Sequence, residues 1–232
     1  MSIRTAFLTW AWSEGQRLLI MGNVPRGTLY GVYDFLDVEL GVRFLAHAVT
    51  HVPQRSTLKV TIDGRTYGPP LERRTLWEGT PQGSAIVRQR LNGLSFQVIH
   101  EKTLGGVKMV GRPTHTYAAF VPPEKYFDNH PEYFGFVAGE RRAHYKGQPT
   151  QLCVSNPEVL MISLNVVRGW LQEAVEANPY NKYVVSVSAN DSQGFCQCES
   201  CAAVNREEGV GIDVEPAGIY GGGTHVRFVN AI

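Results

Sequence analysis

No apolar run in this sequence approaches the roughly 20 residues that a membrane-spanning helix needs. The start, Met1 to Trp12, carries one basic residue and a short apolar run broken by polar positions, too weak a pattern for a signal peptide. An excess of one charge is missing as well. Lys and Arg total 22 against 21 Asp and Glu, which excludes the broad basic field that draws a protein to nucleic acid or to an anionic membrane. A neutral polymer such as a glycan suits that balance. Gly221-Gly222-Gly223 is no phosphate loop, since neither a preceding strand nor a following Gly-Lys-Ser/Thr accompanies it; it reads as a linker into a final helix. Cysteine is scarce and uneven: Cys196, Cys198 and Cys201 share one loop, and Cys153 lies upstream.

What is present is a chain of 232 residues, 43% hydrophobic, enough for one large domain or two modest ones with real cores. Gln16 to Met21 is an apolar run of strand length. From Thr28, a plausible N-cap, Leu29, Val32, Tyr33, Leu36 and Leu40 recur at helical spacing until Gly41, predicting a helix that packs this face on a sheet. Val42 to Leu45 and Ser56 to Ile62 read as strands, and Pro69-Pro70 mark a boundary, so residues 1–70 are expected to form a small α/β domain. Beyond it, Leu71 to Trp77 predicts a strand and Ser84 to Leu91 a helix. Thr114 to Val121 alternates like a strand, and a hairpin-like insertion follows between Tyr133 and Ser155. Asn156-Pro157-Glu158 starts a helix that runs to about Ala177, because Asn caps exposed amides, Pro suits the first position and an acid complements the dipole. Tyr183 to Ser188 is the most strand-like run of all, and Val226 to Ile232 looks like helix. Strands alternating with helices argue for a parallel sheet with crossovers, and residues 71–232 are expected to be the first part of a (β/α)8 barrel. A closed barrel takes about 250 residues, so its C-terminal half is expected to be missing.

Three groups of residues carry possible chemistry. Asn190-Asp191 ends the strand-like run, where barrel enzymes place their catalytic groups; the plainer reading is a turn before Ser192-Gln193-Gly194. Cys196-x-Cys198-x-x-Cys201 with Cys153 offers four thiolates to a structural zinc, with a pair of disulfides or free thiols as alternatives. Arg73, Arg74, Trp77 and Glu78, with His115 and Tyr117, supply the aromatic and hydrogen-bonding groups a saccharide site needs, although such residues also serve in cores. The aromatic segment Tyr126 to Phe134 could line a cleft or anchor a loop.

Pro25-Arg26-Gly27-Thr28-Leu29-Tyr30-Gly31-Val32-Tyr33-Asp34-Phe35-Leu36 resembles the end of the accessory domain that precedes the barrel in family 20 and family 67 glycosidases. Phe120 to Phe127, His130 to Phe134, Gln151 to Val159 and Val185 to Cys201 resemble a bacterial family long known only as a domain of unknown function, part of which is classed as glycoside hydrolase family 163. The resemblance implies a retaining hydrolase of endo-β-N-acetylglucosaminidase or N-acetylhexosaminidase type acting on N-glycans or related glycans, in a parent protein that works in the periplasm or outside the cell. In family 20 an Asp-Glu pair supports substrate-assisted catalysis. Carried over, Asn190 takes the orienting position and Asp191 that of the acid, with no cofactor required for the chemistry; Arg74, Trp77, His115 and Tyr117, chosen above by residue type, are the expected substrate-binding residues. An amide at position 190 departs from the family's carboxylate. The rival class is a non-catalytic carbohydrate-binding module, or a zinc-stabilised interaction module.

Overall fold

The run after Gln16 forms a strand, and its partner comes from the N-terminal segment whose apolar run is too weak for a signal peptide. In the computed structural model, which describes residues 9–14, 17–23, 26–46, 48–62, 64–71, 73–75, 84–92, 107–210 and 222–232, Thr9–Glu14 (β1) and Arg17–Gly22 (β2) pair antiparallel from Thr9↔Gly22 to Glu14↔Arg17. The helix Gly27–Val38 (α1) follows at once. Gly22 makes this possible, because a Cβ there would lie 2.1 Å from the Gly27 carbonyl carbon. Arg43–Ala46 (β3) pairs with Val49–His51 (β4), and Arg65–Tyr67 (β5) joins the free edge of β1. The chain divides into two units, Met1–Lys108 with Asn178–Lys182 and Met109–Ala177 with Tyr183–Ile232.

In the first unit the buried face of α1 is not the apolar stripe that the spacing predicts. Gly27, Tyr30, Gly31 and Asp34 are buried, while Val32 and Val38 are exposed. Glycines let the backbone approach closely, and Asp34 tolerates burial because Arg65 and Arg90 reach its two oxygens at 2.8 and 2.9 Å. The short helix Ser84–Arg88 (α2) buries Ala85, Ile86 and Val87. Ser56–Ile62 is irregular rather than a strand, with Leu58 exposed, and the described residues of the 71–77 segment are irregular too.

The second unit is built on the helix Pro157–Ala177 (α5), preceded by the last two residues of the strand Val107–Val110 (β6) and by two short helices, Tyr117–Phe120 (α3) and Pro123–Tyr126 (α4). Asn156 Oδ1 accepts from the Glu158 amide at 2.9 Å, as the cap reading requires. Val159 and Val167 are buried, and Ile162, Val166, Trp170 and Leu171 pack against the same core of Tyr117, Phe120, Phe134, Leu152 and Phe228. Gly111 has φ +69°, and a Cβ there would lie 2.1 Å from Trp170, so only glycine fits.

The segment Thr114–Val121 is not a strand. His115 takes a left-handed φ of +53°, and the next residues turn into α3, with Tyr117, Phe120 and Val121 all buried. Those positions follow the i, i+3, i+4 rule of a helix face, which won over the alternation.

The expected insertion is two successive hairpins: Phe136–Val137 (β7) with Glu140–Arg141 (β8), and His144–Tyr145 (β9) with Gln148–Pro149 (β10). Each is closed by two residues of positive φ, Ala138-Gly139 and Lys146-Gly147, as two-residue turns matched to strand twist demand. The strand-like run near 183 is shorter than expected, Lys182–Val185 (β11); Ser188 beyond it bonds to Thr116 instead of extending a ladder. Glu199–Glu207 (α6) and Gly222–Ala231 (α7) complete the unit. Asn205 Oδ1 accepts from the Thr224 amide at 2.9 Å and joins these last two helices. The architecture is mixed α and β with small sheets, and no closed barrel forms among the described residues.

Candidate functional site

The four cysteines converge. Cys153 follows the strand-like bridge between Phe134 and Leu152, Cys196 lies in the loop after β11, Cys198 caps α6 and Cys201 occupies its first turn. Their sulfurs all lie within 4.8 Å of one another, with Cys153 Sγ at 3.6 Å from Cys198 Sγ and 3.9 Å from Cys201 Sγ. Disulfide sulfurs stand about 2.05 Å apart, and all four residues are free. Four sulfurs bound tetrahedrally at about 2.3 Å stand about 3.8 Å apart. The spacing therefore fits a cage around one ion, and this buried four-cysteine group could hold a metal.

The electrostatics point the same way. Hydrogen bonds from Cys196 and Cys201 hold the Cys153 thiol far below its usual range, while the bond to Cys153 pushes Cys196 up to about 12 and drives Cys201 higher still. The Cys153 thiolate forms readily while Cys196 and Cys201 resist, because several negative sulfurs cannot share so small a volume without a cation. A divalent ion removes that conflict. Ser155 Oγ lies 3.1 Å from Cys201 Sγ and 3.6 Å from Cys153 Sγ.

Beside the cage, the loop that leads to it is clasped by Gln151. This residue is 0% exposed. Its Nε2 donates to Asn190 O at 2.7 Å and to Ser192 O at 2.9 Å, and its Oε1 accepts from the Asn190 amide at 2.8 Å. Gly194 closes the clasp, accepting from the Gln151 amide at 2.9 Å; a Cβ at Gly194 would press on Thr150 at 3.0 Å.

Asn190, given the orienting position above, has its amide committed to backbone: Nδ2 donates to Thr150 O at 2.7 Å and Oδ1 accepts from the Ala118 amide at 3.0 Å. It is 8% exposed and fixes the loop that follows β11. Asp191, one residue on, is exposed. His115 comes to the same place, its Nδ1 3.4 Å from Ala189 O. Tyr117 does not present a surface to a ligand. Its ring is 1% exposed and packs against Phe228 and His225. Arg74 belongs to the first unit, where its Nε donates to Arg90 O at 2.8 Å and its guanidinium stands over Tyr30, lining a cleft of about 270 Å³ with Asp34 and Tyr67. Trp77 and Glu78 lie outside the described residues.

Three residues near these sites escaped the sequence reading. Gln151 betrays itself only as a polar residue just before the apolar Leu152-Cys153-Val154, Arg141 is one of two adjacent arginines in the hairpins, and His225 is a lone histidine on an amphipathic helix. The Tyr117 hydroxyl and His225 Nδ1 share a hydrogen bond of 2.9 Å, and burial pushes the imidazole down to about 4 from 6.5. The fold therefore accepts the neutral ring, whereas the unfolded chain binds a proton as pH falls through 6.5. Between about 6.5 and about 4 the unfolded state holds more protons, so stability is lost as the pH is lowered through this window, by at most about 3 kcal/mol. His225→Gln keeps an acceptor for Tyr117 without the titration. Urea midpoints at pH 7.5 and 4.5 are expected to differ less in this variant than in the wild type; an equal drop in both would assign the acid sensitivity elsewhere.

No curated protein and no solved structure matches the chain. A family model does match, over residues 44–232. On that match the chain belongs to the family described as Domain of unknown function (DUF4838).

Proposed function

We propose that this chain is part of a retaining glycoside hydrolase of endo-β-N-acetylglucosaminidase or N-acetylhexosaminidase type, in which a structural zinc held by Cys153, Cys196, Cys198 and Cys201 fixes the loop that presents Asp191. In this reading residues 1–70 are the end of an accessory domain and residues 71–232 open a (β/α)8 barrel. The observation that carries it is the contrast between neighbours: Asn190 is locked on both sides of its amide, and Asp191 next to it is exposed. A catalytic group is useful only when its backbone is held still, and here Gln151 on one side and the cysteine cage on the other hold the loop.

Asp191 then serves as the general acid. It donates its proton to the glycosidic oxygen as the bond from C1 to that oxygen breaks, while the substrate's own acetamido oxygen bonds to C1; water later opens the resulting oxazolinium, and Asp191, now a carboxylate, takes back a proton from it. Asn190 contributes by holding position 191, since its amide is already spent on Thr150 and Ala118. His115 borders the same face and is suited to bond a sugar hydroxyl. The zinc takes no part in the chemistry, because four protein ligands leave no place for water or substrate.

The test is release of reducing sugar from N-glycans and chitooligosaccharides by the protein together with whatever natural sequence adjoins residues 1–232. Loss of a general acid costs about 10²- to 10⁴-fold, so Asp191→Asn is expected to lower kcat by that much. Full activity in the variant removes Asp191 from its role. Glycan binding by the wild type without turnover would make the protein a binding module instead.

A further inference from the structure

We infer that Arg141 is the outer cation of the cysteine cage and sets its affinity for metal. This rests on the zinc reading above and extends it to a residue outside the ligand set. The β7–β8 turn, Ala138-Gly139, brings Arg141 directly opposite Phe136. From there Arg141 Nη1 donates to Cys196 Sγ at 3.4 Å and to Phe134 O at 2.7 Å. Its guanidinium lies 5.7 Å from the centre of the Phe136 ring. The Phe136 amide donates to the same sulfur, also at 3.4 Å. One ligand of the cage thus collects two N–H donors from a single hairpin, one of them charged.

The reason is charge. Four thiolates around a divalent ion leave a net charge of two negative units in a half-buried place, and such charge is costly unless it is compensated. Arg141 halves it. Donors to ligating sulfur also hold the ligand in position and favour its deprotonated form, and removing such outer partners weakens metal binding by about 10- to 100-fold. Both bonds leave the same nitrogen, Nη1, so a lysine keeps the charge but carries it as a point charge on a flexible stem, without the planar group that lies by the Phe136 ring, and it replaces Arg141 only in part. The strained left-handed φ of +52° at Ala138 shows that the hairpin is held in this geometry despite an unfavourable residue in the turn. Arg142, the next residue, faces elsewhere: it pairs with Glu140 and donates to Val137 O.

The experiment is a competition between the full chain and a chromophoric chelator for zinc, using wild type, Arg141→Met, Arg141→Lys and Arg142→Met. The expected result is a 10- to 100-fold loss of affinity in Arg141→Met, a smaller loss in Arg141→Lys and none in Arg142→Met. Cobalt substitution separates this from misfolding. Arg141→Met is expected to retain the tetrahedral d–d bands while its sulfur-to-metal charge-transfer band moves. Wild-type zinc affinity in Arg141→Met overturns the inference alone, as does an equal loss in Arg142→Met or disappearance of the tetrahedral bands. Failure of the wild-type chain to bind zinc or cobalt overturns the cage itself and the inference with it.

Discussion

If the four-cysteine cage holds zinc as proposed, a strong chelator is expected to lower the protein's melting temperature by roughly 8–16 °C. The figure follows from linkage: an ion present at about 1,000 times its dissociation constant stabilises the folded state by about 4 kcal/mol, and about 2–4 °C accompanies each kcal/mol in a chain of this size. The cage draws together the chain at Cys153, the loop at Cys196 and the first turn of α6. Without the ion, the Cys196 and Cys201 thiols still resist ionisation, and α6 is left to lighter ties such as Gln197 N to Phe136 O at 2.8 Å and Ser155 Oγ to Cys201 Sγ at 3.1 Å. Cys201→Ser, which removes a buried ligand, is expected to reproduce most of the loss and to abolish the response to chelator. Metal analysis should find about one zinc per chain. A melting temperature indifferent to chelator, with four thiols titrating freely, would leave the cysteines as ordinary thiols; no zinc and no free thiol would mean disulfides.

The second large effect is expected at Gln151. Gln151→Leu keeps the side chain's approximate bulk but strands the Asn190 amide and the Ser192 carbonyl, while the Asn190 carbonyl keeps only the Ser192 amide. Each buried polar group left without a partner costs about 1–3 kcal/mol, so the variant should lose roughly 3–5 kcal/mol in urea unfolding. Ser192→Ala, which removes a hydroxyl that receives one bond from Gln151 and donates to Pro149 O at 2.7 Å, should lose about 1 kcal/mol by the same reckoning. If Gln151→Leu cost no more than the serine variant, the clasp would be incidental to stability. In the hydrolase reading Gln151→Leu also lowers kcat, since it frees the backbone that carries Asp191, and Ser192→Ala does so less.

These two effects come from residues of very different legibility. The cysteines were visible at once, because a tight C-x-C-x-x-C loop with a fourth cysteine upstream has few uses; spacing alone left metal, disulfide and free thiol open, and only the distances between sulfurs favour the cage. Gln151 was invisible. A glutamine between apolar residues gives no sign of whether it faces solvent or, as here, bonds the Asn190 amide and carbonyl and the Ser192 carbonyl of a neighbouring loop from a position with no exposed surface. Asn190 and Asp191 were found together but divided by the fold, one buried and bonded, the other exposed. Tyr117 shows the same limit: an aromatic residue reads equally as a sugar platform or as core, and the helix that begins there placed it in the core.

The sequence by itself determined what depends on near neighbours along the chain. The cap and full length of α5, the strand after Gln16 and the hairpins between residues 136 and 149 follow from local spacing, turn residues and capping chemistry, which act within a few residues and need nothing else. Tertiary structure decided which residues meet. It turned Thr114–Val121 from apparent strand to helix by burying one face of it, gave α1 a polar buried face by supplying Arg65 and Arg90 to Asp34, and closed four sulfurs from two distant segments into one cage. Burial, ion pairing and metal-ligand geometry are set by contacts between residues tens of positions apart, and such contacts leave no period in a sequence.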